Sequence, residues 1–258
     1  MTVFVQVLFK KYFEAYSDNY VIIGGTACDI LIEDAGFTPR ATKDIDIILI
    51  VEALSADFVN QFWQFVHEGN YERKEKSDDN RKYYRFIKPE KEDFPFQLEL
   101  FARNPDLLNL KDGAHMTPIP VEDDLTSLSA ILLDDAYYHY LIEHSEQDNG
   151  IRLANNEALI CLKAKAFLDI SQRIAKGGSE DKKHIRKHKG DIFRLAVMLT
   201  AEDVFTLPET IKIDMQAFAN AIANDMPDKQ IFKHMGYEGI KPIDVYSQII
   251  KSFQLNGE

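Results

Sequence analysis

Asp44-Ile45-Asp46-Ile47-Ile48-Leu49-Ile50-Val51 is the stretch on which the reading of this chain turns. It follows the loop residues Gly36, Pro39 and Thr42, and its β-branched run predicts a strand opened by two carboxylates. Side chains alternate along a strand, so Asp44 and Asp46 project to one side while Ile45, Ile47 and Leu49 enter the other. Their Cα atoms lie about 6.6 Å apart, and two like charges that close raise each other's pKa unless a positive charge lies between them. Carboxylate oxygens suit Mg²⁺, which makes the pair a candidate metal site. An isolated Asp-x-Asp has an equally ordinary explanation as two acids at a solvated strand mouth.

Working outward, a third acid, Glu99, lies in Phe96-Gln97-Leu98-Glu99-Leu100-Phe101. If that strand pairs beside the first, Glu99 faces the aspartates and completes a set of three carboxylates; otherwise it is a solvent-facing Glu on a half-buried strand. Upstream, Val21-Ile22-Ile23 runs into Gly24-Gly25-Thr26 and then a helix. Two glycines at a positive helix terminus leave backbone N–H groups open to an anion, and Thr26 offers a hydroxyl. A Gly-Gly step also occurs in ordinary turns. The step is neither a P-loop nor a GxGxxG fingerprint. Together these residues describe one site: a phosphate cradle at Gly24, Gly25 and Thr26 beside metal-holding acids at Asp44, Asp46 and Glu99. Two Mg²⁺ ions about 3.5–4 Å apart there would serve in-line transfer at a phosphorus atom, a chemistry that depends mostly on positioning and charge stabilisation.

The rest of the chain reads as α/β (α+β). A mixed α/β core spans residues 1–154 and a helical region spans 155–258. Helices are expected over Thr26–Ala35, Ala56–His67, Asn155 to about Arg173 and Glu180–Leu199, with Gly177-Gly178 as a break. Strands are expected at Tyr20–Ile23, Ile45–Val51, Lys82–Ile87, Phe96–Ala102, Leu128–Leu133 and Tyr137–Ile142. Ser77–Asn80 reads as a turn and Asn104–Pro120 as a loop. Phe4, Leu8 and Tyr12 form the inner face of an N-terminal helix.

Composition narrows the function classes. The 258 residues carry 30 Lys and Arg against 42 Asp and Glu, a net charge of -12, which opposes coating by long nucleic acids. Residues 173–194 run the other way, with a local charge of +5 that suits a small polyanion. Two cysteines, Cys28 and Cys161, allow neither a disulfide scaffold nor a CxxC metal pair, as in a reducing cytoplasm. No apolar run is long enough for a membrane span, and the N-terminus does not read as a signal peptide. His184 and His188 have metal-pair spacing but lack the Glu of a zinc-hydrolase helix. No G-x-S-x-G supports a hydrolase. Tyr137-Tyr138-His139-Tyr140 reads as an aromatic strand rather than a base-stacking surface.

The sequence Ile23-Gly24-Gly25, the spacer Thr26–Lys43, Asp44-Ile45-Asp46 and the later Glu99 resemble the nucleotidyltransferase superfamily over residues 20–102. Pro39-Arg40-Ala41-Thr42-Lys43-Asp44 is similar to the approach to the acids in antibiotic nucleotidyltransferases, which implies that Arg40 and Thr42 help hold the triphosphate. Leu162-Lys163-Ala164-Lys165-Ala166 and Lys187-His188-Lys189-Gly190-Asp191-Ile192 resemble the AbiEii group, which includes toxins of AbiE and MenT toxin–antitoxin systems. That resemblance implies a mixed sheet flanked by helices and a helical C-terminal region completing the cleft. It also implies Lys163 on the nucleotide phosphates, Lys187 and Asp191 lining the cleft, and an NTP such as ATP as co-substrate. The acceptor would be RNA (a tRNA end), protein or a small molecule, and an antitoxin protein would be a partner. A catalytically silent nucleotide- or partner-binding module is the alternative from another class.

Overall fold

The computed structural model describes residues 2–73, 83–101, 131, 134–178 and 181–256. The readings placed on Ser77–Asn80 and Asn104–Pro120, and on Leu128–Leu133 apart from Ile131, lie outside them. The chain divides into two units, one taking Met1–Asp29, Arg40–Val121 and Ser145–Ala154, the other Ile30–Pro39, Glu122–His144 and Asn155–Glu258.

The first unit is built on a seven-stranded mixed sheet. Its strands are β1 (Tyr20–Ile23), β2 (Asp44–Leu49), β3 (Glu72–Arg73), β4 (Tyr83–Ile87), β5 (Gln97–Phe101), β6 (Ser145–Asp148) and β7 (Ile151–Ala154), in the order β3-β4-β5-β2-β1-β7-β6. β2 lies at the centre, antiparallel to β1 with Ile23 opposite Asp46, and parallel to β5 with Asp46 beside Glu99. Alternation then sorts the faces. Tyr20, Ile22, Ile45, Ile47, Leu98 and Phe86 share one side, and Ile23, Asp44, Asp46, Glu99 and Arg85 share the other.

Helices α1 (Thr2–Phe13) and α3 (Ala56–Gly69) cover the first of these faces. Phe9 meets Tyr20 edge-on at 5.5 Å, Phe58 stacks on Tyr20 at 6.1 Å, and Phe62 packs on Phe86 at 5.7 Å. Such ring pairs add about 0.5–1.5 kcal/mol each beyond the area they bury. The inner face of α1 is carried by Phe9 and Phe13, with Tyr12 at its rim, one position round from the expected stripe. Ser55 caps α3 by accepting the Phe58 N–H, and Asn70 ends it in the left-handed region. The hairpin β6–β7, turned at Asn149-Gly150 with φ of 49° and 82°, was not anticipated. α2 (Gly24–Asp34) starts directly at the end of β1.

The second unit is helical: α4 (Asp135–Glu143), α5 (Asn156–Ala175), α6 (Lys182–Ala196), α7 (Glu209–Ile222), α8 (Gln230–His234) and α9 (Pro242–Ser252). Tyr137–Ile142, expected as a strand, is the body of α4. Asp134 caps it by accepting the Ala136 and Tyr137 N–H groups. The buried set Tyr137, Tyr138, Tyr140 and Leu141, with His139 outside, follows helical rather than alternate spacing. α5 and α6 pack together with Leu159, Leu162, Ala166, Ile170, Ile192 and Leu195 buried, while Ile185 and Leu199, expected to face inward with them, are only half-buried. Between them lies an ion pair, Lys163 Nζ to Asp191 Oδ2 at 2.9 Å, with both side chains buried and Arg194 Nη1 3.3 Å from the other carboxylate oxygen. Among the described residues no helix is long and apolar enough to cross a membrane.

Breaking a buried pair strands one charge without water. Lys163→Met is expected to destabilise the chain by about 3 kcal/mol, the low end of the usual range because Arg194 still serves Asp191. Chemical denaturation followed by circular dichroism measures it.

Candidate active site

The central feature of the first unit is where β1 ends. Pairing sets Ile23 opposite Asp46, so the residue that follows Ile23 meets the Asp46 side chain. That residue is Gly24, at φ +72°, and a Cβ built on it would lie 1.8 Å from Asp46 Oδ2. Glycine is required here twice, for the left-handed backbone and for the space the carboxylate takes. The Asp46 carboxylate thus sits against the first residue of α2, where the helix dipole favours negative charge. Gly25 is close-packed in turn, its missing Cβ standing 2.9 Å from Thr42 Cγ2 and Oγ1. The glycine step, Asp46 and Thr42 are therefore one packed cluster.

Two side chains fasten the loop leading into β2. Thr26, buried on α2, gives its hydroxyl hydrogen to the Asp44 carbonyl oxygen. This corrects the expectation of a hydroxyl offered to a phosphate, since that donor is spent on the backbone. Asp29, also on α2 and fully buried, accepts the Arg40 N–H at 3.3 Å and the Thr42 N–H at 2.5 Å. The chain passes through Ala41 at φ +61° between those two bonds. Arg40 is exposed, and its amide N–H donates to Asp29. Asp29 was missed by sequence reasoning; its only signal is an acid among Ala27, Cys28, Ile30 and Ile32, all of them buried.

Glu99 stands beside Asp46 on the next strand and faces the same side as both aspartates. It is buried, and its Oε1 accepts from Arg85 Nε at 3.0 Å and Nη2 at 2.9 Å, and from Gln97 Nε2. Arg85, on β4 directly opposite Glu99, is the second residue that sequence reasoning missed. Burial first, and the Asp46 charge second, push the Glu99 carboxyl up to about 8, against the opposing pull of Arg85. Among the described residues no three His, Cys, Asp or Glu side chains converge as a ready-made metal cage. The donor set still fits a hard cation: Asp44 and Asp46 are adjacent same-face oxygen donors, and Mg²⁺ is commonly held by one or two carboxylates, with phosphate and water oxygens completing its shell.

Lys163, Lys187 and Asp191 belong to the second unit. Lys187 and Asp191 lie four residues apart on α6 but differ in surroundings. Asp191 is buried and turns to Lys163 and Arg194, while Lys187 is exposed. His188 is buried at its Nδ1, which has no hydrogen-bond partner, and burial with the nearby Lys163 charge lowers its pKa to about 3.

No family model and no curated protein matches the sequence. Among solved structures, the chain is similar to an antigenic nucleotidyltransferase-like protein from Paracoccidioides brasiliensis. The identity is 16%, the coverage 90% of this chain and 96% of that one, and the TM-score 0.41.

Two outcomes follow from the geometry. Gly24→Ala forces a Cβ onto the Asp46 carboxylate and is expected to cost more than the roughly 1 kcal/mol of an ordinary left-handed Gly→Ala change, read as a fall in melting temperature. Glu99 binds its proton up to about pH 8 in the folded chain, against about 4.5 as the ordinary value. Its contribution to stability is therefore fully present below the lower value and lost as pH rises through the higher. Asp46→Asn removes the neighbouring charge, so carboxyl NMR titration in chelator should find the Glu99 pKa lowered. The fall of stability between those pH values should also be shallower.

Proposed function

We propose that this chain is a nucleotidyltransferase, moving a nucleoside monophosphate group from a nucleoside triphosphate to an acceptor hydroxyl or phosphate. The observation that carries this reading is the packing of Asp46 against Gly24 at the start of α2, with Glu99 one strand away on the same face. In that place the backbone of Gly24 and Gly25 lets a phosphate chain come close without meeting a side chain. Asp44 and Asp46 hold the magnesium. The metal supplies charge neutralisation on the phosphates and orientation for in-line attack. Asp29 and Thr26 position these acids through the backbone, Asp29 at Arg40 and Thr42 and Thr26 at Asp44. Glu99, whose proton affinity is raised past neutrality, would take a proton from the acceptor in its ionised form, which predominates above about pH 8.

A second reading, a module that binds nucleotide without transferring it, draws on one observation: Arg85 and Gln97 already occupy Glu99 Oε1. One experiment separates the two. The protein is incubated with each α-labelled triphosphate, magnesium and a total cell lysate, and the label is traced to RNA, protein or small molecules. Transfer by the unaltered chain, reduced at least about a hundredfold by Asp46→Asn in a variant with unchanged circular dichroism, supports the enzyme. Undiminished transfer by Asp46→Asn overturns it, and magnesium-independent nucleotide binding without any transfer supports the silent module.

A further inference from the structure

The first unit has a cavity of about 340 Å³, at the small end of pockets that hold small molecules. Its walls come from two segments, Thr42-Lys43 and the stretch from Pro89 to Phe96. They are tied together by the backbone: Phe96 N–H donates to the Lys43 carbonyl at 3.0 Å, and Lys88 N–H donates to the Phe96 carbonyl at 3.1 Å. Thr42 belongs both to this wall and to the cluster with Gly25, and Lys43 immediately precedes Asp44. The cavity therefore meets the packed cluster at the start of β2 through Thr42.

Its chemistry is unusual for this surface. Phe96 is 54% exposed although a large apolar ring gains by burial, and Pro89 and Phe94 add further apolar wall. Two cations line the same cavity on a chain of net charge -12. Lys91 Nζ stands 5.5 Å from the centre of the Phe94 ring, and Lys43 is exposed; Glu92 is the single acid in the lining. An open ring such as Phe96 accepts a planar aromatic group by stacking, and ammonium groups attract a phosphate.

We propose that this cavity binds a mononucleotide unit, its base against Phe96 and its phosphate between Lys43 and Lys91. Under the nucleotidyltransferase reading, on which this last step rests, the unit is the end of the acceptor, held where Thr42 joins the cavity wall to the Gly25 cluster. The acceptor class is then nucleic acid or a free nucleotide.

The test is equilibrium binding of the four nucleoside monophosphates in chelator, so that no metal-dependent contact at the acids contributes. Phe96→Ala, expected to fold because the ring is half exposed, should raise Kd about tenfold, and Lys43→Ala with Lys91→Ala should raise it and flatten its salt dependence. Asp46→Asn should bind mononucleotide at least as well as the unaltered chain. The proposal is overturned if no monophosphate binds at millimolar concentration, or if Phe96→Ala shifts Kd less than about twofold. It is also overturned if adenosine binds as tightly as its monophosphate, or if Asp46→Asn alone abolishes binding. Loss of label transfer is scored separately, so a silent chain that still binds mononucleotide through Phe96 rejects the transfer reading and keeps the pocket.

Discussion

A carboxylate that fills the space of a missing side chain holds this molecule's functional end together. Asp46 occupies the volume in which a Cβ on Gly24 would stand. That contact exists only because β1 and β2 pair with Ile23 opposite Asp46, so that the last strand residue hands over to glycine at the level of the acid. A slip of one residue in that register would turn both aspartates into the face packed by Phe9, Phe58 and Phe62. Stacking and edge contacts on the aromatic face thus fix the register, and the register fixes the site.

The electrostatics follow from the same two-sided sheet. Asp44, Asp46 and Glu99 stand on one face, and Arg85 is the cation set against Glu99. Burial, with the Asp46 charge added to it, outweighs the two bonds from Arg85, so the Glu99 carboxyl remains shifted upward. Such an arrangement costs folding energy that a structural role would not require, because a buried apolar residue at position 99 would need no charged partner. Perturbed acids of this kind are characteristic of functional sites.

Much of this was legible in the residues. Period-two alternation gave the shared face of Asp44 and Asp46, which depends only on local spacing, while the place of Glu99 rested on a condition that the pairing of β2 with β5 meets. Asp29 and Arg85 were not legible, because each acts through a tertiary partner. Asp29 sits on the buried side of a helix and serves a loop thirteen residues away, and Arg85 matters only once β4 is known to pair with β5. The error at Tyr137–Ile142 has another cause. Aromatic residues favour strands in general, but Asp134 caps the segment and its buried positions run 137, 138, 140 and 141. Local capping and spacing outweigh propensity there.

The fate of Asp191 carries the same lesson into the helical unit. Spacing of four along one helix made Lys187 its natural partner, yet such a pair is worth only a few tenths of a kcal/mol when solvated. Once α6 packs on α5, Asp191 is sealed from water and must be met by a charge that is sealed with it. Lys163 reaches it from α5 and Arg194 from the next turn of α6. Lys187, on the outer side, keeps its hydration instead. Desolvation, which the sequence does not display, is the stronger force, and it selects a partner across the helix interface over the one along the helix.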